Sequence, residues 1–218
     1  MIIPIIQTDS VADLQAKLDT YTAVDLKDKP THFQIDINDG LFTDHVSVQP
    51  SDLRHVDWHG FTHEYHLLVD NPDEYLGDVS ESGATAVIAQ IEHMHDRRNF
   101  IDTAAQLHLR VGLALDFYTP VSELSDFEIN HLDLILLMGY KAGWSGPQLN
   151  LDIVSKIHQL RHRGFAPMIE IDGGVSPDNI PVLAAAGATA FAVNHAIWHD
   201  GTVKQNIQEL LTAYAQHP

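Results

Sequence analysis

One segment of the chain combines a carboxylate and two glycines between an apolar strand and a helix. It covers residues 167–180, with Asp172, Gly173 and Gly174 at its centre. A carboxylate at the carboxyl end of a strand lies where α/β proteins place their chemistry. Glycines let a ligand approach the backbone, and the free N–H groups beside them suit an anion such as phosphate. The pattern predicts an acid–base group beside an anion site.

The residues after these glycines indicate where a helix begins. Ser176 is a good N-cap residue, and Pro177 at the first helical position lacks only an N–H that would have no intrahelical partner. We therefore expect a helix near residues 177–186. A tight turn with a solubilising Asp is the alternative interpretation of the segment.

The charge balance limits the classes of partner. Lys and Arg number 12 against 30 Asp and Glu, so the formal net charge is −18. Phosphate backbones are bound by Lys and Arg, so no nucleic-acid partner is expected. An anionic substrate would have to be held by local backbone N–H groups or by a metal.

The cysteine content and the distribution of apolar residues indicate in which part of the cell the protein is expected. The chain has no cysteine, which excludes disulfide and thiolate chemistry and favours the cytoplasm. No apolar run approaches the roughly 20 residues of a membrane span, so no membrane partner is expected. Residues 1–6 lack the basic flank and cleavage site of a signal peptide and predict a strand.

Apolar runs alternate with helical patterns along the chain. Strands are predicted at 2–6, 32–37, 64–69, 86–91, 111–115, 132–138, 167–171 and 189–193. Continuous apolar strands are typical of parallel strands covered on both faces. With about eight helices between and after them, they predict an α/β fold, a single (β/α)8 TIM barrel domain over residues 1–218. A doubly wound sheet is the alternative, but no G-x-G-x-x-G follows the first strand.

Several motifs occur together in an ordered set. They are DINDG at 36–40, HLLV at 66–69 with an Asn-Pro pair at 71–72, GLAL at 112–115, and IEIDGGV at 169–175. In this order and spacing they resemble the ribulose-phosphate 3-epimerase family, and the likeness covers nearly the whole chain. The resemblance implies a barrel of the ribulose-phosphate-binding type.

The resemblance also implies a metal centre. In that family two His and two Asp hold a divalent ion (Zn, Fe, Mn or Co), and the two Asp act as acid and base. Asp36 and Asp172 match the carboxylates and His66 matches one histidine, while the second histidine position holds Gln34. Alternation along the strand still points Gln34 inward, beside Asp36. Its amide oxygen is a poorer metal ligand than imidazole.

The family also places phosphate at the end of the barrel. The resemblance assigns the backbone cradle to Gly143, Ser145, Gly146, Gly173 and Gly174.

The remaining substrate positions are assigned in the same way. Thr8 matches a serine that contacts the substrate, with capping as its alternative role, and Met138 matches a residue over the metal. Asn194 and His195 stand where the family has a Gly-Ser pair that holds phosphate. His195 either forms a charge-assisted bond to phosphate or fills the pocket.

Three further positions depart from the family pattern. Gln90 replaces a histidine, and Asn38 and Leu68 replace methionines that cover the metal and the substrate.

The resemblance implies epimerisation at C3 of a ketose phosphate, such as ribulose 5-phosphate and xylulose 5-phosphate or a related sugar phosphate. Proton removal from one face and return to the other require two acid–base groups and a stabilised enediolate. The alternatives are a metal-free sugar-phosphate lyase or isomerase, and a barrel that binds a metabolite without catalysis. A homo-oligomer is expected from the resemblance alone.

Overall fold

The strands of the barrel run parallel and pair in chain order, and the last one closes on the first. A computed structural model describes residues 1–142, 149–199 and 201–215. Within these residues the strands are β1 Ile2–Ile6, β2 His32–Asn38, β3 Thr62–Leu68, β4 Ala86–Gln90, β5 Arg110–Leu115, β6 Leu134–Met138, β7 Met168–Asp172 and β8 Ala190–Val193. The predicted (β/α)8 fold is confirmed.

α-Helices follow every strand except β2, which is followed by a 3-10 turn at Pro50–Leu53, and two helices follow β8. The helices are α1 Val11–Thr22, α2 Leu76–Glu81, α3 Arg97–Gln106, α4 Asp126–His131, α5 Ile153–His162, α6 Ile180–Ala186, α7 His195–Trp198 and α8 Val203–Ala215. Short 3-10 turns, Pro72–Tyr75 and Val121–Glu123, precede α2 and α4. None of these helices combines the length and the hydropathy that a membrane crossing requires.

Two apolar regions hold the fold together. The larger one lies between the strands and the helices and contains the fully buried rings of Tyr21, Phe33 and Phe191. Each large apolar side chain removed from water contributes about 2 kcal/mol. The smaller region fills the barrel interior with Ile88, Ala114, Leu134, Leu136 and Met138. The interior is therefore largely apolar beside β4, β5 and β6, whereas the polar side chains described below belong to β2, β3, β4 and β7.

The helix after β7 begins later than predicted. Its first residue is Ile180 and its N-cap is Asn179, so the expectation of Ser176 as N-cap was wrong. Asn179 Oδ1 accepts the N–H of Ser176 at 2.9 Å, and Asn179 Nδ2 donates to the carbonyl of Gly174 at 2.9 Å. A side chain that binds backbone on both sides stabilises a turn here, which delays the helix.

Candidate active site

Three potential metal ligands converge inside the barrel near the carboxyl ends of the strands. Asp36 on β2 is in register with His66 on β3, and Asp172 ends β7. His66 Nδ1 lies 3.4 Å from Asp36 Oδ1 and 3.3 Å from Asp172 Oδ2. All three side chains are buried. Asp36 and Asp172 are 136 positions apart in the sequence. They meet inside the barrel because the closed sheet leaves only β1 and β8 between β2 and β7.

The Gln34 amide forms the closest contacts at this point. Its Nε2 donates to Asp36 Oδ1 at 2.9 Å and to Asp172 Oδ2 at 2.8 Å. The same nitrogen lies 3.5 Å from His66 Nδ1. Gln34 is fully buried, and its Oε1 has no hydrogen-bond partner among the described residues. The structure therefore brings Gln34 into the predicted site, with its nitrogen facing the carboxylates.

Gln90 contacts the other side of the imidazole. Its Nε2 lies 3.1 Å from His66 Nε2, and its Oε1 is buried without a partner in the described part of the chain. Rotation of the amide by 180° would let Oε1 accept an N–H from the ring. A hydrogen bond of this kind to a ligating histidine fixes its tautomer and orientation.

The electrostatics of the site follow from burial and close charges. Burial lowers the pKa of His66, but hydrogen bonds and the charges of Asp172 and Asp36 outweigh it and raise the pKa to about 9. Burial also raises the pKa of Asp172, and the charge of Asp36 raises it further. The hydrogen bond from His66 lowers this pKa but does not cancel the effect of burial. The protein groups alone therefore favour a charged imidazole between the two carboxyl groups.

This ligand set fits a divalent cation. Asp36, His66 and Asp172 offer ligand atoms within 4.8 Å of one another, and no other His, Asp or Glu cluster in the described ranges does so. Ligands of a tetrahedral ion with bonds of about 2.1 Å lie about 3.4 Å apart. The distances of 3.4 and 3.3 Å from His66 Nδ1 agree with that spacing. The site can hold a divalent metal through these residues, as predicted, and three ligands leave a position for substrate.

Asn38 lies nearer the mouth on the same face of β2. Its Oδ1 accepts a hydrogen bond from Thr43 Oγ1 at 2.8 Å, which fixes the direction of the amide. Its Nδ2 is buried and has no partner among the described residues. An unpaired buried N–H group is costly, so this donor suits a ligand oxygen.

A second acidic pair lies deeper in the barrel. Glu64 and Glu170 precede His66 and Asp172 by two positions, so they also point inward, and both are buried. Burial, followed by the charge of Glu64, raises the pKa of Glu170 well above its ordinary range. Sequence reasoning missed this pair, although the two-residue spacing from site residues was a signal for it.

The other predicted residues lie at the ends of the strands. Thr8 Oγ1 accepts the N–H of Ser10 at 3.2 Å, in the turn before α1, whose N-cap is Ser10 rather than Thr8. Met138 packs in the apolar interior, in register with Asp172. Asn194 Nδ2 donates to Gln7 Oε1 at 3.5 Å. The substrate roles of these residues stay predictions.

The phosphate cradle is described only in part. Gly173 and Gly174 have φ values of +103° and +73°, in the region that favours glycine. His195 follows β8 and is exposed, with its ring stacked on His199 at 4.5 Å. The predicted cradle residues Gly143, Ser145 and Gly146 lie outside the described residues.

The fold and this site together define a (β/α)8-barrel enzyme with a carboxylate–imidazole centre at the carboxyl ends of its strands. A model of the ribulose-phosphate 3-epimerase family matches residues 6–216, so the chain belongs to that family. Family membership supports a pentose-phosphate epimerase function within the isomerase class. The predicted resemblance is confirmed.

Curated relatives agree with this assignment. Ribulose-phosphate 3-epimerase of Escherichia coli K12 is 29% identical over 191 residues, covering 85% of this chain and 84% of the relative. The Bacillus subtilis enzyme of the same name is 25% identical over 182 residues, covering 81% and 83%. The cytoplasmic isoform of Oryza sativa is 29% identical over 169 residues, covering 75% and 74%.

Solved structures support the fold alone. Phosphoribosyl anthranilate isomerase from Thermus thermophilus has a TM-score of 0.65 at 14% identity, with 99% of both chains covered. A mutant tryptophan synthase α-subunit from Pyrococcus furiosus has a TM-score of 0.69 at 13% identity, with 97% of both chains covered.

Proposed function

We propose that the protein is an epimerase acting at C3 of a ketose phosphate, with ribulose 5-phosphate and xylulose 5-phosphate or a related sugar phosphate as its substrates. The observation that carries the proposal is the meeting of Asp36 and Asp172 beside His66 at one buried point. Two carboxyl groups from different strands can address opposite faces of one carbon. Family membership supports the choice of a sugar phosphate.

The chemistry needs two proton transfers. One carboxylate takes the C3 proton, the C–H electron pair forms a C2–C3 double bond, and the carbonyl electrons move to the C2 oxygen as an enediolate. The other carboxyl group then returns a proton to the opposite face of C3, and the carbonyl is restored. Over one turnover one Asp gains a proton and the other loses one. Burial raises the pKa of Asp172, which favours Asp172 as the protonated partner at the outset.

The side chains around the pair would orient the substrate and stabilise its oxygens. A divalent ion held by Asp36, His66 and Asp172 would supply a Lewis acid for the negative charge of the enediolate. Asn38 Nδ2, which has no partner in the described part of the chain, is a hydrogen-bond donor at the mouth for a substrate oxygen. Gln90 would hold the His66 ring in place through its amide oxygen, which accepts the N–H at ring Nε2 once the amide is rotated.

Phosphate binding is assigned to the rim of the barrel after β6, β7 and β8. The left-handed backbone at Gly173 and Gly174 supports close approach of an anion. The exposure of His195 supports a direct contact with phosphate rather than a filled pocket. A homo-oligomer and a single domain over residues 1–218 complete the proposal.

Proton exchange at C3 tests this function. Ribulose 5-phosphate is incubated with the protein in deuterium oxide, and deuterium at C3 is followed by NMR. We expect exchange in the unchanged protein and a loss of about 10²–10⁴-fold in Asp36→Asn and Asp172→Asn, because each variant lacks one proton carrier. Asp102→Asn, at an exposed position of α3, is the control for loss of a carboxylate.

Two results would contradict the proposal. Exchange that persists in both site variants would remove the two-Asp mechanism. No exchange with any pentulose phosphate, whether the protein is loaded with metal or stripped by chelator, would favour the lyase or the non-catalytic binding protein. Carbon–carbon cleavage products in the same NMR spectra would identify the lyase.

A further inference from the structure

The Gln34 amide donates hydrogen bonds to both carboxyl groups of the site, in addition to their contacts with His66. Its amide nitrogen carries two hydrogens, and the structure gives each of them a carboxylate acceptor, at 2.9 Å on Asp36 and 2.8 Å on Asp172. Hydrogen bonds to ionised acceptors are about twice as strong as neutral ones. Gln34 thus ties β2 to the end of β7 across the barrel interior.

The orientation of this amide follows from its neighbours. If the amide were rotated by 180°, Oε1 would lie at the nitrogen's position, 2.8–2.9 Å from two carboxylate oxygens. An amide oxygen would repel an ionised carboxylate at that distance, whereas an amide N–H is attracted to a carboxyl oxygen whether that group is ionised or holds its proton on the other oxygen. The carboxylates therefore select the amide nitrogen, although this leaves Oε1 buried without a partner among the described residues.

The oxygens that accept these hydrogen bonds are also the ones that converge with His66. Asp36 Oδ1 and Asp172 Oδ2 lie 3.4 and 3.3 Å from His66 Nδ1, so a cation bound by the three residues would use them. An amide N–H and a cation cannot both occupy the space in front of the same two oxygens. The two are therefore competitors for one position.

We propose that Gln34 is a positioning residue that bridges the two carboxylates with its amide N–H groups and competes with a divalent ion for their oxygens. The bridge keeps Asp36 and Asp172 aligned when no ion is bound, and it lowers the affinity for the ion. Its value for catalysis rests on the proposed two-Asp function, whereas its effect on metal affinity does not.

Metal affinity measured on substituted proteins separates a bridge from a ligand. Gln34→Met keeps the length of the side chain but removes both donors and the amide oxygen. Zn2+ is titrated into protein stripped by chelator, in competition with a chromophoric chelator. We expect Gln34→Met to bind Zn2+ about tenfold more tightly, because the cation no longer has to displace two charge-assisted hydrogen bonds from the carboxylates. Gln34→His, which also adds an imidazole ligand, is expected to bind more tightly still.

A second readout is proton exchange with ribulose 5-phosphate in deuterium oxide. Without metal, Gln34→Met is expected to lose about tenfold in kcat with an unchanged KM, since the pair is misaligned but substrate binding is not. Saturating Zn2+ is expected to restore the rate, because the ion takes over the bridging position. Gln106→Met, at an exposed site on α3, is the matched control and should match the unchanged protein.

Weaker Zn2+ binding by Gln34→Met would overturn the proposal and identify Oε1 as a ligand. Equal binding by Gln34→Met and the unchanged protein would also overturn it, because no competition would exist. Tighter binding in a protein that exchanges no sugar phosphate would support the bridge and reject the proposed function. Thermal unfolding shows whether each variant is folded. If Gln34→Met does not fold, the same titration is carried out on Gln34→His. Unchanged or weaker Zn2+ binding by Gln34→His would then contradict the proposal.

Discussion

At the scale of single residues, burial decides what each ionisable or polar group does in this barrel. Gln34, His66 and Gln90 are fully buried, so each must obtain its hydrogen bonds from side chains rather than from water. The imidazole is held from both sides, by carboxylates at Nδ1 and by the Gln90 amide at Nε2. The same rule applies to histidines outside the site.

His63 shows the opposite effect of burial on a pKa. It lies on β3 and stacks on Trp58 with a centroid distance of 3.7 Å, and its Nε2 has no partner among the described residues. Burial, with a smaller effect from His32, lowers the pKa of His63 from 6.5 to about 3. The folded protein therefore holds His63 neutral, and the unfolded chain can bind a proton that the folded one cannot.

The pH dependence of stability follows from this difference. Because the folded pKa is depressed, the contribution of His63 is fully present above the unfolded pKa and is lost as pH falls from about 6.5 toward about 3. Across that window the loss is about 1.4 kcal/mol per pH unit. His63→Phe, which keeps the stacked ring, should remove this slope in urea unfolding at about pH 5 and pH 8.

The test compares His63→Phe with the unchanged protein at each pH. The exposed His95→Phe controls for the loss of a surface histidine. A free-energy difference between His63→Phe and the unchanged protein that stays constant from one pH to the other would contradict the prediction.

At the scale of elements, the ends of β6 and β7 position the site by close backbone contact. Gly139, directly after β6, donates its N–H to the carbonyl of Asp172 at 2.6 Å. A Cβ added at Gly139 would lie 2.1 Å from the carbonyl oxygen of Gly173. Only glycine permits this approach, so the position of the Asp172 carboxylate depends on a residue that carries no chemistry.

Gly139→Ala should therefore move the end of β7. We expect a loss of about 3 kcal/mol in the free energy of unfolding, because the added carbon meets backbone that cannot rotate away. We also expect weaker Zn2+ binding, since Asp172 moves away from His66. Urea unfolding and metal titration measure the two effects.

Gly77→Ala is the matched control for that experiment. Gly77 lies in α2, and no atom lies within 4 Å of a Cβ added there. Alanine should be neutral or slightly stabilising at this helical position. Equal stability losses in the two variants would show that the contact between β6 and β7 is not tight.

At the scale of the whole molecule, the formal net charge of −18 opposes compactness. Like charges on a folded surface repel, and this repulsion is reduced by dissolved salt. A negatively charged protein also attracts cations, which favours occupancy of a carboxylate–imidazole site.

Added salt should therefore stabilise the protein. Raising NaCl from about 20 mM to about 200 mM shortens the Debye length to below about 10 Å and should raise Tm by a few degrees. Choline chloride at the same ionic strength should give the same increase if screening is the cause. A Tm that is unchanged or lower in NaCl would contradict the prediction. A Tm that rises in NaCl but not in choline chloride would indicate specific sodium binding.

The amino-acid sequence by itself determined the fold class and the face of each strand. Apolar runs alternating with helical patterns predicted the barrel, and the two-residue period of a strand placed Gln34 and Asp36 on one inner face. These two features follow from local periodicity, which a sequence carries directly. The meeting of Asp36, His66 and Asp172 was implied by the family resemblance.

Only the tertiary structure decided how these groups contact one another. Whether Gln34 faces the carboxylates with nitrogen or oxygen depends on residues up to 138 positions away, as does the Gln90 contact with His66 on the neighbouring strand. The delayed helix start at Ile180 depends on the Asn179 side chain rather than on Ser176. Strand period fixes the face of a side chain but not its rotamer, and rotamers are selected by neighbours that meet only when the barrel closes.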